Sequence, residues 1–148
     1  MSRIAHTPMI SRAGLSGVCA RDLMTGDPAC VHPGVAVREA AASLAVQKIS
    51  AVLVVNDDGV AVGVLSRSDV IRAVLAGADA APVRDFMSPE VIAVQPDADA
   101  RQAAELMVRC EVRRVFVVDE DGVPVGVVST TDLLRALKVR CRSRAATL

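Results

Sequence analysis

The sequence predicts an α/β (α+β) fold of two β-α-β-β-α repeats packed as a pseudo-two-fold pair. Three observations lead there. First, the stretch "VVNDDGVAVGVLSRSDVIRAV" from Val54 returns, little changed, as "VVDEDGVPVGVVSTTDLLRAL" from Val117. Second, the copies keep one register. Arg21-Asp22-Leu23-Met24 matches Arg84-Asp85-Phe86-Met87 at an offset of 84 − 21 = 63, and Pro33/Pro96, Arg38/Arg101, Gly59/Gly122 and Asp69/Asp132 hold it without a gap. Register kept from Arg21 to Val74 marks an internal duplication. Third, each copy alternates between the apolar period of a helix and the β-branched runs of a strand.

Each element follows in order. "ACVHP" and "IAVQP" are short extended pieces that end at a proline. A helix follows, with Val37, Ala40, Ala41 and Leu44 on one face in the first copy and Ala100, Ala103, Ala104 and Met107 in the second. "AVLVV" and "VFVV" are strands. "NDDG" and "EDG" are hairpin turns, with glycine available for positive φ. "VAVGVL" and "VPVGVV" are second strands, apolar enough to be covered on both faces. "DVIRAVLAG" and "DLLRALKVR" are the closing helices. One such copy buries a meagre core alone, and pairing supplies the missing contacts. The boundaries are then a leader, 1–20, disordered or packed on a partner; repeat 1, 21–77; a linker, 78–83; repeat 2, 84–140; and a basic tail, 141–148.

Composition narrows the function. The chain of 148 residues is 52% hydrophobic but has only two Phe and no Tyr or Trp, against the aromatic platforms of single-strand and RNA readers. Seventeen Lys and Arg balance seventeen Asp and Glu, so no general field favours nucleic acid or acidic membrane. The basic "RALKVRCRSR" reads as a solvated helix end near the negative dipole terminus, with a binding tail as the alternative. Cys19, Cys30, Cys110 and Cys141 form no C-x-x-C pair and His6 and His32 sit near no ligand cluster, so no metal is implied. Scattered cysteines fit reduced thiols. No apolar h-region opens the chain, and no run reaches the ~18 apolar residues of a membrane span, so a cytoplasmic protein is expected.

The combined pattern resembles the cystathionine-β-synthase (CBS) domain family, as a tandem pair. "RDLMT" and "RDFMS" at the repeat starts and "VRRVFVVDEDGVPVGVVSTTDLLRAL" carry the likeness, which covers about Arg21 to Arg140. Leu53 and Phe116 depart from it, since the family often has proline before the Val-Val of the middle strand. The resemblance implies a non-catalytic regulatory module, commonly a flat homodimer, that binds an adenosine-containing ligand between its repeats: AMP, ADP, ATP, S-adenosylmethionine or an NAD-type molecule. It also implies an effector protein as partner.

Ser66-Arg67-Ser68-Asp69 and Ser129-Thr130-Thr131-Asp132 admit two readings. As capping boxes, the Ser accepts from the N3 amide and the Asp reaches back. As ligand sites, the helix N-terminus favours phosphate. The resemblance gives Ser66 and Ser129 the phosphate and Asp69 and Asp132 the ribose hydroxyls. Gly63 and Gly126 would let the preceding strand end close beneath the ligand. Arg113 and Arg114 stand where the first copy has Ser50 and Ala51, and guanidinium suits phosphate. The resemblance sets them facing the other copy's Asp69, so a phosphorylated adenosine should prefer that cleft; the alternative is an exposed strand edge. Val31 and Val94, with Val54 and Val117, are candidates for an adenine slot or plain core.

Two other classes compete with a nucleotide-binding regulator. One is a dimerisation scaffold of the same fold with empty clefts. The other is an enzyme, but the sequence has no G-x-x-x-x-G-K-[ST], H-E-x-x-H or G-x-G-x-x-G, and "GLSG" is spaced wrongly for a nucleophile elbow. Cys110 reads as a small buried hydrophobe.

Overall fold

Alternation of apolar helix faces with β-branched runs produces the same order of elements twice. The computed structural model describes residues 2–3, 15 and 17–145, with side chains from Leu15 to Leu137 apart from Ser16. In chain order the elements are β1 (Ser2–Arg3), α1 (Ala20–Leu23), β2 (Thr25–Gly26), β3 (Cys30–Val31), α2 (Val37–Gln47), β4 (Ala51–Val55), β5 (Ala61–Ser66) and α3 (Arg67–Leu75). After a 3₁₀ turn at Val83–Asp85 come β6 (Val91–Val94), α4 (Ala100–Cys110), β7 (Arg114–Val118), β8 (Pro124–Ser129) and α5 (Thr130–Ala145). The architecture is mixed α+β, as the duplicated pattern predicts.

The chain divides into two compact units. The first is built from Pro28–Val91; the second combines Ile92 onward with the segment before Pro28. In the first, β4 lies parallel to β3 and antiparallel to β5, with α2 and α3 beside the sheet. Its core is Val37, Ala40, Leu44, Val52, Val54, Leu65, Ala73 and Val83. In the second, the sheet order is β1-β6-β7-β8-β2, and Val94, Ala100, Leu106, Val115, Val117 and Val128 anchor the core. Both hairpins carry the same register shift, between Val54 and Val55 and between Val117 and Val118. Gly59 and Gly122 take the positive φ their turns require, 80° and 84°. At the departure from the family pattern, Leu53 uses the N–H that proline would lack, donating to the Ala29 carbonyl.

The units are offset from the sequence repeats, because the segment heading each repeat packs in the other unit. Ala20 and Arg21 donate to the carbonyls of Ala98 and Pro96; Val83 and Arg84 donate to those of Val35 and Pro33. Each contact repeats at the 63-residue offset. The helices that follow are capped by the same exchange. Val37 N–H donates to the Ala81 carbonyl, and Ala100 N–H donates to that of Val18. The expected linker is therefore part of the first unit. The end of the expected leader is part of the second, where Leu15 joins the core and Val18 packs against it. The rest of the leader lies outside the described residues except Ser2–Arg3, as do His6 and the side chain of Cys141.

Candidate functional site

A strand that ends at Ser and a helix that begins with Asp at its third position create the same junction in each unit. In the first, Ser66 is the extended N-cap of α3, with φ −100° and ψ 168°. Its Oγ accepts from the Asp69 N–H at 3.2 Å. Asp69 Oδ2 accepts from the Ser66 N–H at 2.8 Å and from Ser66 Oγ at 2.9 Å. In the second, Asp132 Oδ2 accepts from the Ser129 N–H at 2.8 Å and Oγ at 3.0 Å, and Ser129 Oγ accepts from the Asp132 N–H at 3.2 Å. Both expected pairs thus form full capping boxes. Each Asp has one oxygen committed to the cap and one outside it.

That second oxygen differs between the units. Asp69 Oδ1 accepts from the Arg72 guanidinium, which also donates to the Phe86 carbonyl at 3.4 Å. Asp132 Oδ1 lies 4.0 Å from Arg135 Nη1, too far for a hydrogen bond. The Asp side chains are similarly buried, 13% and 14% exposed, so burial does not explain the contrast.

The basic pair falls beside the second junction. Arg114 is the cross-strand partner of Ser129, on the same face of the β7–β8 hairpin, and the Arg113 carbonyl accepts from the Thr130 N–H. Arg114 is half-buried and Arg113 exposed. The corresponding positions in the first unit are Ser50, whose carbonyl accepts from the Arg67 N–H, and Ala51, the partner of Ser66. Ser66 and Asp69 belong to one unit and Arg113 and Arg114 to the other.

The valine candidates lie in or against the two cores. Val94 is fully buried, as are Val54 and Val117, and Val31 is half-buried against the first core. Gly63 and Gly126 stand against the exchanged segments. A Cβ on Gly63 would stand 2.6 Å from Met87 Sδ and 2.8 Å from the Ser88 carbonyl, and one on Gly126 would stand 2.5 Å from Met24 Sδ and 2.9 Å from the Thr25 carbonyl. The missing Cβ at each of these positions makes room for the exchanged segment. The hint lay in the sequence, since Met24/Met87 and Gly63/Gly126 share the repeat offset. Arg72 was also overlooked. Its spacing from Asp69 was visible, but Arg135 has the same spacing from Asp132, so the contrast was not.

Cys19, Cys30 and Cys110 are free thiols. Partial burial pushes the Cys30 thiol pKa up, although the residue as a whole is exposed. Among the described residues no cluster of His, Cys, Asp and Glu could hold a metal ion, and no helix is long and apolar enough to cross a membrane.

Two strand–turn–strand–helix units, each closed by a Ser–Asp cap, define a tandem α+β repeat module. The CBS domain model matches residues 20–76 and 83–139, and the chain belongs to the CBS domain family. The uncharacterized protein MK0525 of Methanopyrus kandleri is 35% identical over 123 residues; the match covers 80% of this chain and 59% of that protein's length. The CBS domain protein PAE2072 from Pyrobaculum aerophilum, complexed with AMP, is similar at TM-score 0.74 and 28% identity, over 85% of this chain and 99% of that one. The cytosolic domain of the Mg2+ channel MgtE, in complex with ATP, is similar at TM-score 0.72 and 33% identity, over 80% of this chain and 48% of that one.

Proposed function

We propose that the chain is a non-catalytic regulatory module. In this reading it binds an adenosine-containing ligand at its strand–helix junctions and signals to a partner protein. The observation that carries the reading is the duplicated junction itself. A buried carboxylate keeps one oxygen turned away from its cap, at the head of a helix whose first amides favour phosphate. Asp69 and Asp132 would accept from the ribose hydroxyls. Ser66 and Ser129 would meet phosphate, with Arg113 and Arg114 as cationic neighbours. The AMP and ATP complexes of the similar structures support an adenine nucleotide; S-adenosylmethionine or an NAD-type ligand fits the same chemistry.

The functional form in this reading is a cytoplasmic homodimer, with free thiols consistent with a reducing compartment. Its contact elements are α3 and α5. Ile71, Val74 and Leu75 are exposed on α3, and Leu134 and Leu137 are exposed on α5. Ile71/Leu134 and Val74/Leu137 hold matching repeat positions, which gives two like apolar faces for self-association. Light scattering at tens of micromolar should return a dimer; a monomer alone would remove this part of the reading.

The central test is thermal melting after dialysis against AMP, ATP, S-adenosylmethionine and NAD separately. A ligand held only by the native state adds about 2.7 kcal/mol of stability at a hundredfold excess over Kd. A second reading, a scaffold with empty clefts, is favoured by one observation: both Asp residues complete a helix cap, which gives each a structural role of its own. A flat melting temperature with every adenosyl ligand would support that reading, and native mass spectrometry of freshly purified protein would show whether a nucleotide travels with it.

A further inference from the structure

We infer that Arg72 is an internal competitor for the ribose at Asp69, so that the Ser129–Asp132 junction fills first. This rests on the proposed nucleotide-binding reading and adds the order of filling and its cause. A ribose diol offers two hydroxyl donors, and a carboxylate accepts both only if an oxygen is open. Asp69 has only part of one: Oδ2 holds the Ser66 N–H and Oγ, and Oδ1 already accepts from Arg72, which leaves it a single further acceptor site. Asp132 spends Oδ2 in the same way, but its Oδ1 stands 4.0 Å from Arg135. A diol that sets both hydroxyls on Oδ1 of Asp69 must therefore displace the guanidinium, whereas one entering at Asp132 need not. Affinity at Asp69 is reduced by the fraction of molecules in which Arg72 is in place.

A second observation points the same way. Arg114 is the cross-strand neighbour of Ser129, while Ser66 faces Ala51, so a cationic residue is paired with the serine of the second junction and none with that of the first. The order is the reverse of that expected from pairing Arg113 and Arg114 with Asp69. Arg72 acts here as a positioning residue. Its side chain is 62% exposed and the Asp69 carboxylate keeps its cap donors, so removing Arg72 should leave the fold intact.

The test is a ¹H–¹⁵N NMR titration of the full chain with AMP, following the amides of Ser66–Asp69 and Ser129–Asp132 separately. In the wild type the Ser129–Asp132 amides should saturate at lower AMP. Arg72→Ala should lower Kd at the Ser66–Asp69 junction about two- to fivefold and leave the other unchanged, the range set by an exposed ion pair. Arg72→Gln keeps the aliphatic stem over the helix and should give the same result. Arg135→Ala should change neither. With 2′-deoxy-AMP, which lacks the vicinal diol, the gain from Arg72→Ala should vanish; a change in general helix stability would not make that distinction. Earlier filling of Ser66–Asp69 in the wild type, an unchanged Kd in Arg72→Ala, or an equal gain with the deoxynucleotide overturns the competition while leaving nucleotide binding standing. No shift in the wild type or in either Arg72 variant with AMP, ATP, S-adenosylmethionine or NAD overturns the adenosine-binding reading and this inference together.

Discussion

The two strand–helix junctions share their cap and differ in what surrounds it. Ser66–Asp69 and Ser129–Asp132 have hydrogen-bond lengths that agree to within 0.1 Å. Around them, the first junction has Arg72 on its carboxylate and Ala51 opposite its serine; the second has an open carboxylate oxygen and Arg114 opposite its serine. Duplication preserves what the backbone requires, because an uncapped helix leaves amides unsatisfied whichever repeat it belongs to. Positions that only decorate the junction carry no such requirement and differ between the copies. The division separates a stability role, common to both repeats, from surroundings that each repeat holds differently.

The largest expected effect tests whether the copies share their packing. Gly63→Ala and Gly126→Ala each drive a Cβ against a methionine and a carbonyl oxygen, and the carbonyl cannot rotate away as a side chain can. Each should cost about 1–3 kcal/mol, read as a lower melting temperature. Near-equal losses would confirm that the exchanged segments serve both units alike. A neutral Gly126→Ala would show that β2 is held less firmly than its counterpart at Ser88.

Next come the caps. Ser66→Ala and Ser129→Ala should each cost about 1 kcal/mol in urea unfolding. Asp69→Ala should cost more than Asp132→Ala, because it also strips Arg72 of its partner. Equal losses would mean that the Arg72 contact contributes nothing measurable, the usual outcome for an exposed pair.

Smaller still is a cap that one copy has and the other lacks. Asp99 heads α4 and accepts from the Arg101 N–H at 2.9 Å, while Ala36 heads α2 with no side-chain acceptor. Their backbone angles nearly coincide, φ −65° and ψ 142° for Ala36 against −61° and 134° for Asp99. Ala36→Asp should therefore stabilise the protein by about 0.5–1 kcal/mol in the same assay. A loss would show that Ala81 and Asp79, whose carbonyls already receive the first amides of α2, leave no room for a side chain.

The smallest effect concerns the helix ends. Lys48 and Glu111 both adopt left-handed φ, 54° and 55°, after α2 and α4. Glycine relieves that strain but loses more entropy on folding. Lysine also suits the negative helix end and glutamate opposes it. Lys48→Gly should be close to neutral, and Glu111→Gly should gain roughly 0.5 kcal/mol over it. Equal shifts would mean that backbone strain alone governs both positions.

The fold class, the two copies, the turns at Gly59 and Gly122 and the Ser–Asp caps were all legible in the residue order. Each depends on neighbours within a few positions, where hydrophobic period, positive φ and cap chemistry act directly. The ownership of the head segments was not legible, because Met24 could pack on Gly63 or Gly126 with identical local chemistry. Only the completed sheets decided it, by placing Gly126 beneath Met24 and Gly63 beneath Met87. The same limit applies to the candidate site. The sequence by itself determined that Asp69 and Asp132 would stand at helix heads, each followed by an arginine three residues on. Tertiary structure decided that Arg72 closes on its carboxylate while Arg135 stands off. A long exposed side chain has many rotamers of similar energy, and what selects among them is a partner from elsewhere in the unit: here the Phe86 carbonyl that also receives Arg72.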